Sequence, residues 1–143
     1  MQYRTFGKLD WKSSALGFGC MRLPTVDGDS SQIDEDKATR MLRYGIDHGV
    51  NYLDTAYPYH GGNSERLVGR ALQDGYREKV KLATKLPTWA VENTDDFDRY
   101  LDEQLVKLQT DHVDFYLFHG MRVPRWEIIQ KFGLLERAER ART

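Results

Sequence analysis

Cysteine is almost missing from this sequence. Cys20 is the only one in 143 residues, which excludes an internal disulfide and any cysteine-ligated iron–sulfur cluster built within one chain. An excess of either charge is missing too. The formal net charge is -1, so there is no electrostatic case for nucleic acid or an anionic membrane surface as a partner. No apolar run approaches the ~20 residues of a membrane span. The N-terminus, Met1-Gln2-Tyr3-Arg4-Thr5-Phe6, lacks the apolar core of a signal peptide. His48, His60 and His112 have no metal-ligand spacing with one another or with Cys20, so no metal is expected. There is no low-complexity tract and no linker. With 40% apolar and 30% charged residues, the composition is that of a globular protein, and the expected location is the cytoplasm.

What is present is an alternation of strand and helix signals. Gln2–Thr5 and Lys12–Ala15 flank the turn Gly7-Lys8-Leu9-Asp10 and read as a hairpin. Leu16–Arg22 follows as a first barrel strand. Asp34 caps a helix carrying Ala38, Met41, Leu42, Gly45 and Ile46, with Gly49 past its end. Val50–Asp54 is a second strand. Asn63 or Ser64 caps a helix with a Leu67, Val68, Ala71 and Leu72 stripe, and Tyr59–Ser64 before it reads as a flexible lead-in in preference to an anion site. Val80–Lys85 is a third strand. Thr94 caps a helix marked by Phe97, Leu101, Leu105 and Leu108. Val113–His119 is a fourth strand, and Trp126, Ile129 and Phe132 begin a helical pattern that breaks at Gly133 and resumes through Leu134 and Ala138. A hairpin plus four β/α units predicts an α/β fold with a parallel sheet, the N-terminal half of a (β/α)8 barrel. A complete barrel needs roughly 250 residues. The expectation is therefore a single incomplete domain over 1–143, with the charged tail Glu136–Thr143 ending as if cut.

Four residues fall at or just past strand ends: Asp54, Tyr59, Lys85 and His119. Lys85 lies 31 residues after Asp54, and His119 lies 34 residues after Lys85. That rhythm gathers strand ends on the one face where such barrels keep their active sites. Reducing a carbonyl takes a hydride at carbon and a proton at oxygen. A nicotinamide can supply the hydride, which leaves the protein to position groups and donate the proton. Tyrosine serves as acid when an ammonium stabilises its phenolate. Lys85 is the candidate ammonium, held by Asp54, while His119 orients the substrate oxygen with its ring fixed by a hydrogen-bond partner behind it. Taken singly, each has a plainer reading: Asp54 as a cap, Tyr59 as packing with Tyr52, Tyr57 and Tyr76 as rivals, Lys85 as a solvated charge, His119 as a satisfied core residue. Trp89 and Trp126 either line an apolar substrate pocket or cap the helices beneath.

These motifs resemble those of the aldo-keto reductase family. Asp54-Thr55-Ala56-Tyr57-Pro58-Tyr59 followed by Glu65–Leu72 is similar to its first signature, Leu82–Lys85 to its lysine strand, and Asp111–His119 to its histidine strand. Gly17–Pro24 resembles its opening strand. The stretch Tyr57–Glu65 is most similar to a microbial branch that carries a C-terminal ferredoxin-like segment, which this sequence lacks. The resemblance implies a reductase of aldehydes and ketones using NADP(H), with NAD(H) as the other option. Tyr59 would be the acid, tuned by Lys85 and Asp54, and His119 would orient the carbonyl. Gly19, Cys20 and Met21, with Asp54, would lie near the nicotinamide and its ribose. Most of the cofactor's grip belongs to later strands of the family barrel. The alternative expectation is thus an inert half-barrel that self-associates or pairs with a complementing half.

Overall fold

A hairpin opens the chain, β1 (Tyr3–Thr5) running antiparallel to β2 (Lys12–Ser14). The computed structural model describes residues 1–142. Phe6 and Trp11, from the hairpin's loop, pack with Tyr52 and Phe115 at ring-centroid separations of 5.2 to 6.4 Å. Tyr52 and Phe115 begin their strands, so the hairpin covers the N-terminal end of the sheet. That sheet holds β3 (Phe18–Gly19), β4 (Tyr52–Asp54), β5 (Lys81–Leu86) and β6 (Phe115–Phe118), all parallel and in chain order. Helices α1 (Glu35–Asp47), α2 (Asn63–Ala71) and α3 (Asp96–Leu108) follow β3, β4 and β5. After β6 come α4 (Val123–Lys131) and α5 (Leu134–Arg140), separated at Gly133. Four successive parallel strands, each followed by helix, form half of an eight-stranded β/α barrel.

Local chemistry accounts for most boundaries. The Asp34 carboxylate accepts from the Lys37 amide at 3.0 Å, and Ala38, Leu42 and Ile46 bury the inner stripe of α1. Two apolar clusters form beneath the sheet. One joins Leu42, Leu53, Leu67 and Leu82, and the other joins Leu86, Phe97, Ile129 and Leu134. Between α2 and α3 the helices touch at Gly69, where an added Cβ would lie 2.6 Å from the Lys107 carbonyl oxygen and 2.7 Å from the Leu108 carbonyl carbon. Backbone cannot rotate aside as a side chain does. Gly69→Ala is therefore expected to destabilise the fold by about 1–3 kcal/mol, despite alanine's better helix propensity. A lower urea midpoint at unchanged m-value checks this. An unchanged midpoint would exclude the tight crossing.

The structure corrects the sequence reading in four places. The first barrel strand is short, because Cys20–Arg22 turn into a 3-10 helix directly after Gly19. The α2 cap is Gly62 in a left-handed conformation, not Asn63 or Ser64; the Ser64 hydroxyl is engaged with Thr55 and the Cys20 carbonyl. Thr94 does not cap α3. Asn93 accepts from the Asp95 and Asp96 amides there, and the Thr94 hydroxyl donates to the Phe132 carbonyl. Finally, α3 is rotated: its buried side carries Phe97, Tyr100, Gln104, Lys107 and Leu108. Leu101 and Leu105 border an apolar groove beside β6 and α5.

Candidate active site

Alternation along β5 sends Lys81, Ala83 and Lys85 to one face of the sheet and Leu82, Thr84 and Leu86 to the helices. On the inner face the Lys85 side chain is only 13% exposed, a position where an ammonium must be partnered. It is. Its Nζ donates to Asp54 Oδ1 at 2.6 Å and to the Thr55 carbonyl at 2.7 Å, and it lies 3.4 Å from the Tyr59 hydroxyl. Asp54 ends β4 in register between Gly19 and Ala83. Tyr59 opens a 3-10 turn, Tyr59–Gly62, with its amide bonded to the Ala56 carbonyl at 3.1 Å. The ammonium sits 4.9 Å from the Tyr59 ring centroid.

His119 lies one residue past β6. Its amide donates to the Leu86 carbonyl at 3.1 Å, while its own carbonyl accepts from the Thr88 hydroxyl at 2.7 Å and from Arg125 at 3.3 Å. The imidazole stands edge to face with Tyr59 at 5.8 Å and with Trp89 at 5.2 Å. The hydrogen-bond partner expected behind the ring is not there among the described residues: Nδ1 is buried and unpartnered. Aromatic packing holds the ring instead. Burial, followed by the charges of Lys85 and Arg125, pushes the imidazole's pKa below its ordinary value and so keeps it neutral at pH 7. Trp89 thus borders the site, with the Arg125 guanidinium 5.2 Å from its ring centroid, whereas Trp126 stays exposed on α4.

The structure brings Asp54, Tyr59, Lys85 and His119 together, and places the other candidates beside them. At Gly19 an added Cβ would meet no atom within 4 Å, and Met21 is exposed. Cys20 differs, since its thiol turns into the core. Burial, then the nearby Asp54 charge, pushes its pKa up to about 12. Among the described residues, no three His, Cys, Asp or Glu side chains gather as metal ligands, and no helix is long and apolar enough to cross a membrane.

Sequence reasoning missed a polar layer behind Lys85. Glu65, fully buried, accepts from Thr84 Oγ1 at 2.6 Å and from Gln104 Nε2. Gln104 also donates to the Lys85 carbonyl at 3.2 Å and accepts from the Tyr116 hydroxyl at 2.8 Å. Lys107 Nζ lies 3.7 Å from Glu65 Oε2 and 2.8 Å from Glu103. The signal was available in α3. Gln104 and Lys107 share the helix side of Phe97 and Leu108, and polar residues on an apolar stripe need buried partners.

Fold and site together define a class, half of a barrel whose strand ends bear an aspartate, tyrosine, lysine and histidine constellation. The model of the aldo/keto reductase family matches residues 15–140, and the chain belongs to that family. It is 35% identical over 129 residues to the uncharacterized oxidoreductase YqkF of Bacillus subtilis, covering 84% of this chain and 39% of that protein. The aldo-keto reductase AKR11C1 from Bacillus halodurans, in its holo form, superposes with a TM-score of 0.74 at 36% identity, over 96% of this chain and 47% of that one. An aldo-keto reductase from Klebsiella pneumoniae in complex with NADPH gives 0.65 at 29% identity, over 85% and 43%. The chain thus spans less than half the length of these relatives.

Proposed function

We propose that this chain carries the proton-transfer half of an NADP(H)-dependent reductase of aldehydes and ketones. The observation that carries the proposal is the Lys85 ammonium, bonded to Asp54 and Thr55 and 3.4 Å from the Tyr59 hydroxyl, with a neutral His119 alongside. Tyr59 donates its proton to the substrate oxygen, and the resulting phenolate is stabilised by Lys85. Asp54 and the Thr55 carbonyl keep Lys85 charged and aimed. His119 donates an N–H to the same oxygen and sets the carbonyl's orientation; Trp89 walls the substrate side. The residues present fit the nicotinamide end of the cofactor. Gly19 leaves open space for a flat ring, and Asp54, 29% exposed, offers a carboxylate to a ribose hydroxyl. When bound, the nicotinamide supplies hydride to the carbonyl carbon. Met21 and the Cys20 main chain would border it, the Cys20 thiol taking no part.

A second reading follows from the sheet edges. Among the described residues β3 and β6 each pair on one side only, and an apolar groove runs beside β6. Such edges invite pairing with another chain, which favours a half-barrel that associates with a second copy or a complementing half. One experiment addresses both readings. NADPH fluorescence is titrated with protein, then a reactive aldehyde is added while the solution mass is recorded. Cofactor binding and aldehyde-dependent oxidation are expected. Neither one, at a mass above that of one chain, would remove the reductase reading for the isolated chain and leave the association reading.

A further inference from the structure

Directly after Tyr59 the backbone takes an uncommon path. His60, Gly61 and Gly62 have φ of 54°, 63° and 91°. Left-handed glycine is ordinary, but a left-handed histidine persists only where its surroundings hold it. His60 is so held. Its ring is buried, with Nε2 3.1 Å from the Leu23 amide nitrogen and Nδ1 2.7 Å from the Ser30 carbonyl oxygen. A backbone amide can only donate, so Nε2 is the bare nitrogen. Nδ1 then carries the proton and donates to Ser30. The Asn63 side chain adds a bond to the Ser31 carbonyl at 3.0 Å. The lead-in expected to be flexible is therefore tied at three points to the segment between β3 and α1. That segment is itself braced, by Asp29 accepting from Ser31 and Gln32 and by a bridge between Thr25 and Ile33. It continues directly from Gly19–Met21.

We propose that His60, as the neutral Nδ1–H tautomer, is a positioning residue that locks the turn bearing Tyr59 to the β3–α1 segment. Proton donor and nicotinamide strip are thereby held in register. The role rests on the reading of Tyr59 as donor. The main-chain bonds of Tyr59, its amide to the Ala56 carbonyl and its carbonyl from the Asn63 amide, both stay within the turn. The His60 ring, with Asn63, is therefore what ties the turn bearing the Tyr59 hydroxyl to the β3–α1 segment. His60 itself touches neither substrate nor cofactor; it acts through its neighbour.

Two substitutions separate its bonds. His60→Asn tolerates the left-handed backbone and keeps a donor near Nδ1, but offers nothing to Leu23. His60→Gln places a side-chain oxygen where Nε2 was. In the 143-residue chain, His60→Asn should speed hydrogen exchange of the Leu23 amide by ~10-fold or more, and His60→Gln should restore much of the protection. Loosening Tyr59 also admits water to the His119 ring 5.8 Å away, so the NMR titration midpoint of His119 should rise in His60→Asn. Unchanged Leu23 exchange overturns the proposal, as does faster exchange with His119 titrating as in the wild type. A wild-type ¹⁵N spectrum at neutral pH showing a protonated Nε2 on His60 overturns it without any variant. If the His119 midpoint moves in a chain that neither binds NADPH nor reduces an aldehyde, the coupling stands and the reductase reading falls.

Discussion

Tyr59→Phe is expected to lower kcat for aldehyde reduction by ~10²–10⁴-fold, the usual contribution of a positioned general acid, with KM little changed. The substitution removes one atom and leaves the packing. Phenylalanine keeps the ring beside the Lys85 ammonium and edge-on to His119. Lys85 keeps its stronger bonds to Asp54 and Thr55, at 2.6 and 2.7 Å. Substrate binding should therefore survive while proton delivery does not, so kcat and kcat/KM fall together. Lys85→Met gives a less clean comparison. It removes the ammonium but also strands Asp54 in a partly buried place, mixing a stability cost with the chemical one. Steady-state NADPH oxidation by the folded variants measures both. Retention of wild-type kcat in Tyr59→Phe would take the acid role from Tyr59, and a rise in KM alone would make it a binding residue.

How far the site was legible depends on where each residue sits. Asp54, Lys85 and His119 were readable because strand ends recur at a β/α interval, and topology delivers them to one face whatever the details of packing. Tyr59 was harder, since it stands in a turn; three other tyrosines compete for the role until Lys85 Nζ is seen beside one hydroxyl. The structure that supports these residues was not readable. Thr88 bonded to the His119 carbonyl, and His60 bonded to Leu23 and Ser30, each join segments about thirty residues or more apart. No local pattern encodes such pairings. The rotation of α3 shows the same limit. Its apolar residues define two adjacent faces; Gln104 and Lys107 on one of them signal a need for buried partners, but nothing local says that the partner is Glu65 of α2.

That buried carboxylate gives the largest expected loss of stability. Glu65→Ala should cost about 3–5 kcal/mol. It leaves the buried Thr84 hydroxyl without its acceptor, at ~1–3 kcal/mol for an orphaned group, and opens a cavity between α2, α3 and β5. It also takes one acceptor from Gln104, which keeps the Lys85 carbonyl and Thr84 Oγ1. Lys107 is not stranded, because Glu103 and the face of Tyr57 still hold its ammonium at 2.8 and 3.8 Å. Glu65→Gln should cost far less, since it keeps an oxygen toward Thr84 and removes the charge. It should also change the pH dependence. Burial raises the Glu65 pKa, against the opposing hydrogen bonds of Thr84 and Gln104 and the charge of Lys107. Between its unfolded value, ~4.3, and the higher folded one, the native state holds a proton that the unfolded chain has released. Glu65 therefore contributes its full stabilisation below the unfolded pKa and loses it as pH rises through the folded pKa. Asp114 works the other way. Its burial is outweighed by the Leu82 amide and by Lys81 and Arg77, so its pKa is lowered and its contribution fades toward acid. The wild type minus Glu65→Gln difference isolates the first effect. Urea unfolding across this range should show the variant gaining on the wild type as pH rises. Parallel curves would mean that Glu65 does not titrate there, and Glu65→Ala within ~1 kcal/mol of wild type, well short of the orphaned-donor cost, would mean that the layer behind Lys85 carries little of the fold.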